Sequence, residues 1–173
     1  STEFGEDAVL ARFSQLDATC LIFSEGYYYK QKPFSTASLV TKLFSELPSL
    51  RCGIALQATT TDFSYSESVK SYDAILSEEK VTSIAFEPLP FDHPLYILFS
   101  SGTTGKPKAI VHGVGGTLLE HLKELKLHCD IRRDDVLFYY TTCGWMMWNW
   151  LVSGLATGCT IVVFDGAPFY PEF

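Results

Sequence analysis

Residues Ser100, Ser101, Gly102, Thr103, Thr104, Gly105, Lys106, Pro107 and Lys108 place two glycines, four hydroxyls and two lysines within nine positions. Backbone N–H groups, hydroxyl donors and ammonium charges all converge on oxyanions, so the segment has the composition of a phosphate cradle. Its surroundings suit a polyanion. From His93 onward no carboxylate occurs before Glu120, although the whole chain carries a formal charge of −7. Five of the twelve glycines lie at Gly102, Gly105, Gly113, Gly115 and Gly116, where backbone can approach a ligand closely. An ordinary polar turn is the competing reading of a Ser/Gly/Thr cluster. The Lys-Pro-Lys ending and the carboxylate gap favour the cradle.

A second run, Gly144, Trp145, Met146, Met147, Trp148, Asn149 and Trp150, is rich in large side chains around one amide. Such residues fill helix cores readily. They also make small shaped pockets that measure a short substrate and hydrogen-bond one polar atom, for which Asn149 is the candidate. The run by itself supports both readings.

Other chemistries fail on spacing. A Walker loop needs glycine where Ser100 stands and Ser or Thr where Pro107 stands, and it opens a helix, whereas a strand is expected after this segment. Gly113 and Gly115 are followed at the required offset by Leu118, so no dinucleotide fingerprint exists. His121 and His128 are seven apart with no HExxH, which leaves the four histidines as surface or satisfied core residues and predicts no metal held by the chain's own side chains. Neither Ser101 nor Ser153 stands in GxSxG.

The elements that must position these residues alternate between helix and strand. Glu6 to Leu16 carries Val9, Leu10, Phe13 and Leu16 at helical spacing, and Thr19 to Phe23 reads as a strand. Ser35 or Thr36 can cap a second helix bearing Leu39, Val40, Leu43, Phe44 and Leu47, before a strand at Cys52 to Leu56. Ala58 to Ser66 is a polar loop, Val69 to Leu76 a short helix, and the proline-rich residues 88–94 an extended lead-in. Tyr96 to Phe99 and Ala109 to His112 are strands, which makes the cradle a hairpin loop. Thr117 to Cys129 is an amphipathic helix with Leu118, Leu122, Leu125 and Cys129 on its apolar face.

The remaining bulk properties narrow the class. With 47% hydrophobic residues among 173 the chain can bury a core, and an α/β fold is expected. Its acidity and scattered basic residues argue against nucleic acid as a partner. Val136 to Phe164 lacks any charge, but strand-like, helix-like and strand-like stretches, separated at Gly144 and Thr157-Gly158, predict a buried α/β core in place of a membrane span. Cys20, Cys52, Cys129, Cys143 and Cys159 form no CxxC pair and are expected as buried reduced thiols of a cytosolic protein. The first residues show neither an initiator Met nor a secretory signal, and the last follow a strand directly, so the chain is expected to be part of something longer.

SSGTTGKPKAIVHG resembles the phosphate-loop signature of the AMP-forming acyl-CoA synthetases and other adenylate-forming enzymes. FGEDAVLARFSQ, FDHPLYILFSSGTTGKPKAIVHG, GGTLLEHLKELKLHCD, TTCGWMMWNWLVSGLATG and VVFDGAPFYP are similar to the acetoacetate-activating branch of that family, with the match weakest between Gly26 and Phe86. The resemblance implies a partial N-terminal, AMP-binding domain over residues 1–173. The C-terminal lid with its Lys and the ribose-binding Asp would lie outside the chain, which alone is expected to be inactive. It implies ATP with Mg2+, acetoacetate and CoA as substrates and an acyl-adenylate as intermediate. Carried residue by residue, it places Ser100, Ser101, Gly102, Thr103, Thr104, Gly105 and Lys108 around the β- and γ-phosphates, with Lys108 as the catalytic charge partner and Lys106 facing solvent. Trp145, Met146, Trp148 and Asn149 fall where relatives place part of the acyl pocket. An acetate- or propionate-activating enzyme is the alternative within the family. An inactive nucleotide-binding module or a partner-binding fragment is the alternative outside it.

Overall fold

The computed structural model describes residues 4–57, 66–78, 80–100, 105, 107–164 and 166–171. The chain divides into two compact units, one built from Phe4–Ala85 with the segment from Gly166, the other from Phe86–Asp165.

In the first unit, α1 (Glu6–Phe13) leads to β1 (Cys20–Ser24), a hairpin of β2 (Gly26–Tyr29) and β3 (Lys32–Ser35), then α2 (Ala37–Glu46), β4 (Cys52–Leu56), β5 (Val69–Ser71) and α3 (Tyr72–Glu78). Strands β1, β4 and β5 form a parallel sheet in the order β1-β4-β5, with Cys20 opposite Cys52 and Gly53 opposite Val69. Val40 and Leu43 of α2, with Leu47 just beyond it, recur at three- and four-residue steps and close a core with Val9 of α1, Leu21 of β1 and Leu50. Ser35 helps to cap α2, its Oγ accepting from the Ala37 N–H at 3.2 Å, while Thr36 Oγ1 donates to the Ser24 carbonyl.

Several expectations are corrected in this unit. The first helix stops at Phe13, three residues before Leu16. The β2–β3 hairpin escapes the sequence pattern because its turn residues Lys30 and Gln31 take φ of 47° and 64° without glycine or asparagine. Those angles suit the two-residue turn whose twist matches paired strands. Val69 to Ser71, expected as helix, pairs as a strand with β4, and the helix begins only at Tyr72. The polar loop at Ala58 to Ser66 lies almost wholly outside the described residues.

In the second unit, β6 (Pro94–Ser100) and β7 (Lys108–Gly113) pair antiparallel, followed by α4 (Val114–Lys123), which passes into a π-helical turn over Glu124–His128. Then come β8 (Val136–Phe138), α5 (Met146–Ser153), a 3-10 turn (Gly154–Thr157) and β9 (Thr160–Val162). Since β8 and β9 are parallel, the uncharged stretch is a strand, helix, strand unit. Among the described residues no helix is long and apolar enough to cross a membrane. Among the described residues Leu125 and Leu151 are the largest fully buried side chains.

The buried face of α4 differs from the expected stripe. His121 and Leu125 are buried, while Leu118 and Cys129 are exposed. The π-helical turn after Lys123 changes the angular step, so side chains beyond it leave the line that a 3.6-residue period draws. Gly115 and Gly158 are structurally required. A Cβ at Gly115 would overlap the Phe91 ring, and Gly158 ends the 3-10 turn with φ of 87°. The cysteine expectation is also corrected: all five are free, but Cys20, Cys52, Cys129 and Cys143 are exposed and only Cys159 is buried. Cys20 and Cys52 open their strands and Cys129 follows the π-helical turn, positions at the ends of elements where less chain covers a side chain.

Candidate functional site

The segment expected as a phosphate cradle is described at its flanks. Ser100, the last residue of β6, lies directly opposite Lys108, the first of β7, with Phe99 opposite Ala109 and Leu98 opposite Ile110. β-Branched and aromatic residues favour this pairing. Pro107 fixes φ next to Lys108 and, lacking an N–H, cannot extend the ladder as a donor. Lys108 is exposed and has no ion-pair partner among the described residues. Ser101, Gly102, Thr103, Thr104 and Lys106 lie outside the described residues. At Gly105, among the described residues beyond its chain neighbours, no atom stands within 4 Å of where a Cβ would be.

A cavity of about 340 Å³ opens within the second unit. One wall is the start of β6, Leu95 and Tyr96; a second is the first turns of α4, Val114, Thr117 and Leu118; the third is α5, with Trp148, Asn149, Val152 and Ser153. A mainly apolar lining with a few polar groups suits a small organic ligand. Of the four pocket residues expected from sequence, Trp148 and Asn149 reach this cavity. Trp145 and Met146 do not line it: they are 53% and 51% exposed, and Trp145 faces the Tyr139 ring at 6.2 Å.

Sequence reading missed Tyr96, Thr117, His121 and Ser153. A signal was present, since Thr117 and His121 on α4, like Asn149 and Ser153 on α5, are four apart and so share a helix face. His121 is buried, at 9% exposure, and its Nδ1 lies 2.8 Å from Ser153 Oγ. Ser153 Oγ in turn donates to the Asn149 carbonyl at 2.9 Å. A hydroxyl has one proton, so Ser153 accepts from His121, which makes Nδ1 the protonated nitrogen of the neutral ring.

Burial pushes the His121 pKa below its ordinary value of 6.5; Glu120 and Glu124 offset part of this, and His112 adds to it. The unfolded chain therefore takes up a proton more readily than the folded one. This contribution to stability is complete above the ordinary histidine pKa and is lost as pH falls through the folded value. Thermal midpoints of the intact protein are expected to fall between about pH 7.5 and about pH 5. The same scan on His121→Asn should be flatter, and an equal slope in that variant would show that another group is responsible.

Strands β6 and β7 pair Ser100 with Lys108, and the AMP-binding enzyme family model matches residues 1–173. The chain belongs to that family. Within it, the chain is 47% identical over 174 residues to acetoacetyl-coenzyme A synthetase from Rhizobium meliloti (strain 1021), covering 99% of this chain and 27% of that protein. It is 40% identical over 179 residues to acetoacetyl-CoA synthetase from Gallus gallus, with 99% and 27% covered. The solved structure of acetoacetyl-CoA synthetase from Streptomyces lividans matches with a TM-score of 0.90 at 45% identity, covering 98% of this chain and 26% of the other. The chain thus spans about a quarter of the length of these relatives.

Proposed function

We propose that the intact protein containing this chain joins acetoacetate to CoA in two steps. ATP first gives an acyl-adenylate and pyrophosphate, and the acyl group then passes to the CoA thiol. The similarity to acetoacetyl-CoA synthetases along 99% of the chain carries this reading. Residues 1–173 would then be part of the N-terminal, AMP-binding domain, with the lid domain elsewhere in the polypeptide. Ser100, Ser101, Gly102, Thr103, Thr104, Gly105 and Lys108 take the β- and γ-phosphates, where preorganised donors and a cation stabilise the charge that grows on the leaving pyrophosphate. Trp148 and Asn149 hold the acyl chain, and the exposed Trp145 and Met146 are left out of the pocket.

Magnesium belongs to this reading as part of the ATP substrate, carried on the nucleotide's own phosphate oxygens. Among the described residues no group of three His, Cys, Asp or Glu side chains is placed to hold a metal ion. The charge work given to this chain rests on Lys108.

The cavity sets the polar side chains of Tyr96, Thr117 and Asn149 within a mainly apolar lining, which supports a small polar acid as its occupant. Pyrophosphate–ATP exchange by the intact protein, run with acetoacetate, acetate and propionate in parallel, tests the assignment. Acetoacetate is expected to give at least about tenfold higher kcat/KM than either simple acid, since a site that hydrogen-bonds a substrate oxygen discriminates against analogues lacking it. Preference for acetate or propionate would defeat the proposal.

A further inference from the structure

We propose that His121 and Ser153 are positioning residues for the acid substrate: their hydrogen-bond chain from α4 to α5 fixes the Asn149 peptide and thereby holds the Asn149 side-chain amide in the cavity wall. This deepens the reading of that cavity as the acyl pocket and rests on it.

Three observations carry the inference. His121 is buried one turn beyond Thr117 on α4, and its Nδ1–H donates to Ser153 Oγ at 2.8 Å, tying the two helices together. Ser153 lies one turn beyond Asn149 on α5 and donates back to its carbonyl at 2.9 Å, so the chain of bonds ends on the residue that bears the amide. Both Asn149 and Ser153 line the cavity, whereas His121 does not.

The bond directions have a chemical consequence. Serine's single proton is committed to the Asn149 carbonyl, so Ser153 has only a lone pair left to offer a ligand. A ketone or carboxylate oxygen accepts hydrogen bonds and cannot use it. The side-chain donors left among the cavity residues are the Asn149 amide, the Trp148 indole N–H and the hydroxyls of Thr117 and Tyr96. Of these the amide depends on the helix backbone that Ser153 holds, since a serine bonded back to the preceding turn sets the local bend of its helix. Removal of His121 or Ser153 should therefore loosen acid binding while leaving the nucleotide site untouched.

The test is steady-state kinetics of the intact protein with acetoacetate and ATP varied separately. His121→Ala and Ser153→Ala are each expected to raise KM for acetoacetate about three- to tenfold, the size of one net hydrogen bond. KM for ATP and kcat should stay within about twofold, and the double variant should be no worse than either single one, because both act through one chain. His121→Asn, whose amide N–H can replace Nδ1–H, should restore KM. Asn149→Ala separates the two levels of the claim. If it leaves KM for acetoacetate unchanged, the acyl-pocket reading falls and the positioning role with it. If Asn149→Ala raises KM but His121→Ala and Ser153→Ala do not, only the positioning role is overturned. A parallel rise in both KM values, or His121→Asn as poor as His121→Ala, would reduce the pair to a packing role and likewise overturn it. Ser153→Ala, the smallest of these changes, keeps the test available if the histidine variant fails to fold.

Discussion

Replacing Lys108 with alanine in the intact protein is expected to lower acetoacetate-dependent exchange of pyrophosphate into ATP by about 10²- to 10³-fold, the scale seen when one preorganised stabilising group is removed. The backbone makes this lysine a well-placed charge. Lys108 opens β7 in direct register with Ser100, and Pro107 restricts the chain immediately before it. From His93 to Leu119 the sequence contains no carboxylate to compete for the ammonium. Charge accumulates on the pyrophosphate as it leaves, so the loss should fall mainly on kcat, with a smaller change in KM for ATP. Lys108→Arg, which keeps the charge but alters its reach and shape, should recover part of the rate. Exchange at the wild-type rate in Lys108→Ala would remove the role given to this residue and leave the rest of the loop to account for phosphate binding.

Leu125→Ala is expected to destabilise the Phe86–Asp165 unit by about 2–5 kcal/mol, the cost of emptying a fully buried leucine site. Leu125 is 0% exposed and sits in the π-helical turn, where the Ile131 N–H donates to its carbonyl at 2.8 Å. Leu118→Ala, on the same helix but at 46% exposure, should cost well under half as much. The comparison is informative because a regular 3.6-residue period puts both leucines on the apolar face. Native-state hydrogen exchange of the intact protein, read on peptides from α4 and β8, reports the local opening free energies. Equal losses for the two variants would mean that the difference in burial between Leu118 and Leu125 does not set their contribution.

The strand at Cys52–Leu56 follows directly from its apolar run, and the hairpin strands from β-branched and aromatic residues on either side of a polar loop. These are local effects, decided by propensity and period. The β2–β3 hairpin was not legible, because its turn places Lys30 and Gln31 at positive φ where residue type gives no hint. Strand pairing on either side offsets that strain. Val69 to Ser71 is too short for any period to show, and only β4 alongside makes it a strand.

At the candidate site the division is similar. Loop composition alone pointed Ser100 and Lys108 toward phosphate chemistry, since the relevant groups are contiguous in sequence and carry their chemistry with them. Of the cavity lining, Trp148 and Asn149 stand in the run that the sequence singles out, whereas Tyr96, Thr117 and Ser153 come from three elements separated by many residues, and His121 bonds Ser153 without lining the cavity. Sequence by itself determined the composition of the cradle, the strands that flank it and the alternation of helix and strand. Tertiary structure alone decided which helix faces meet, that His121 is a buried partner of Ser153, and that most cysteines stay exposed. The physical reason is range: propensity and local charge act within a few residues, whereas burial is fixed only when distant segments close over one another.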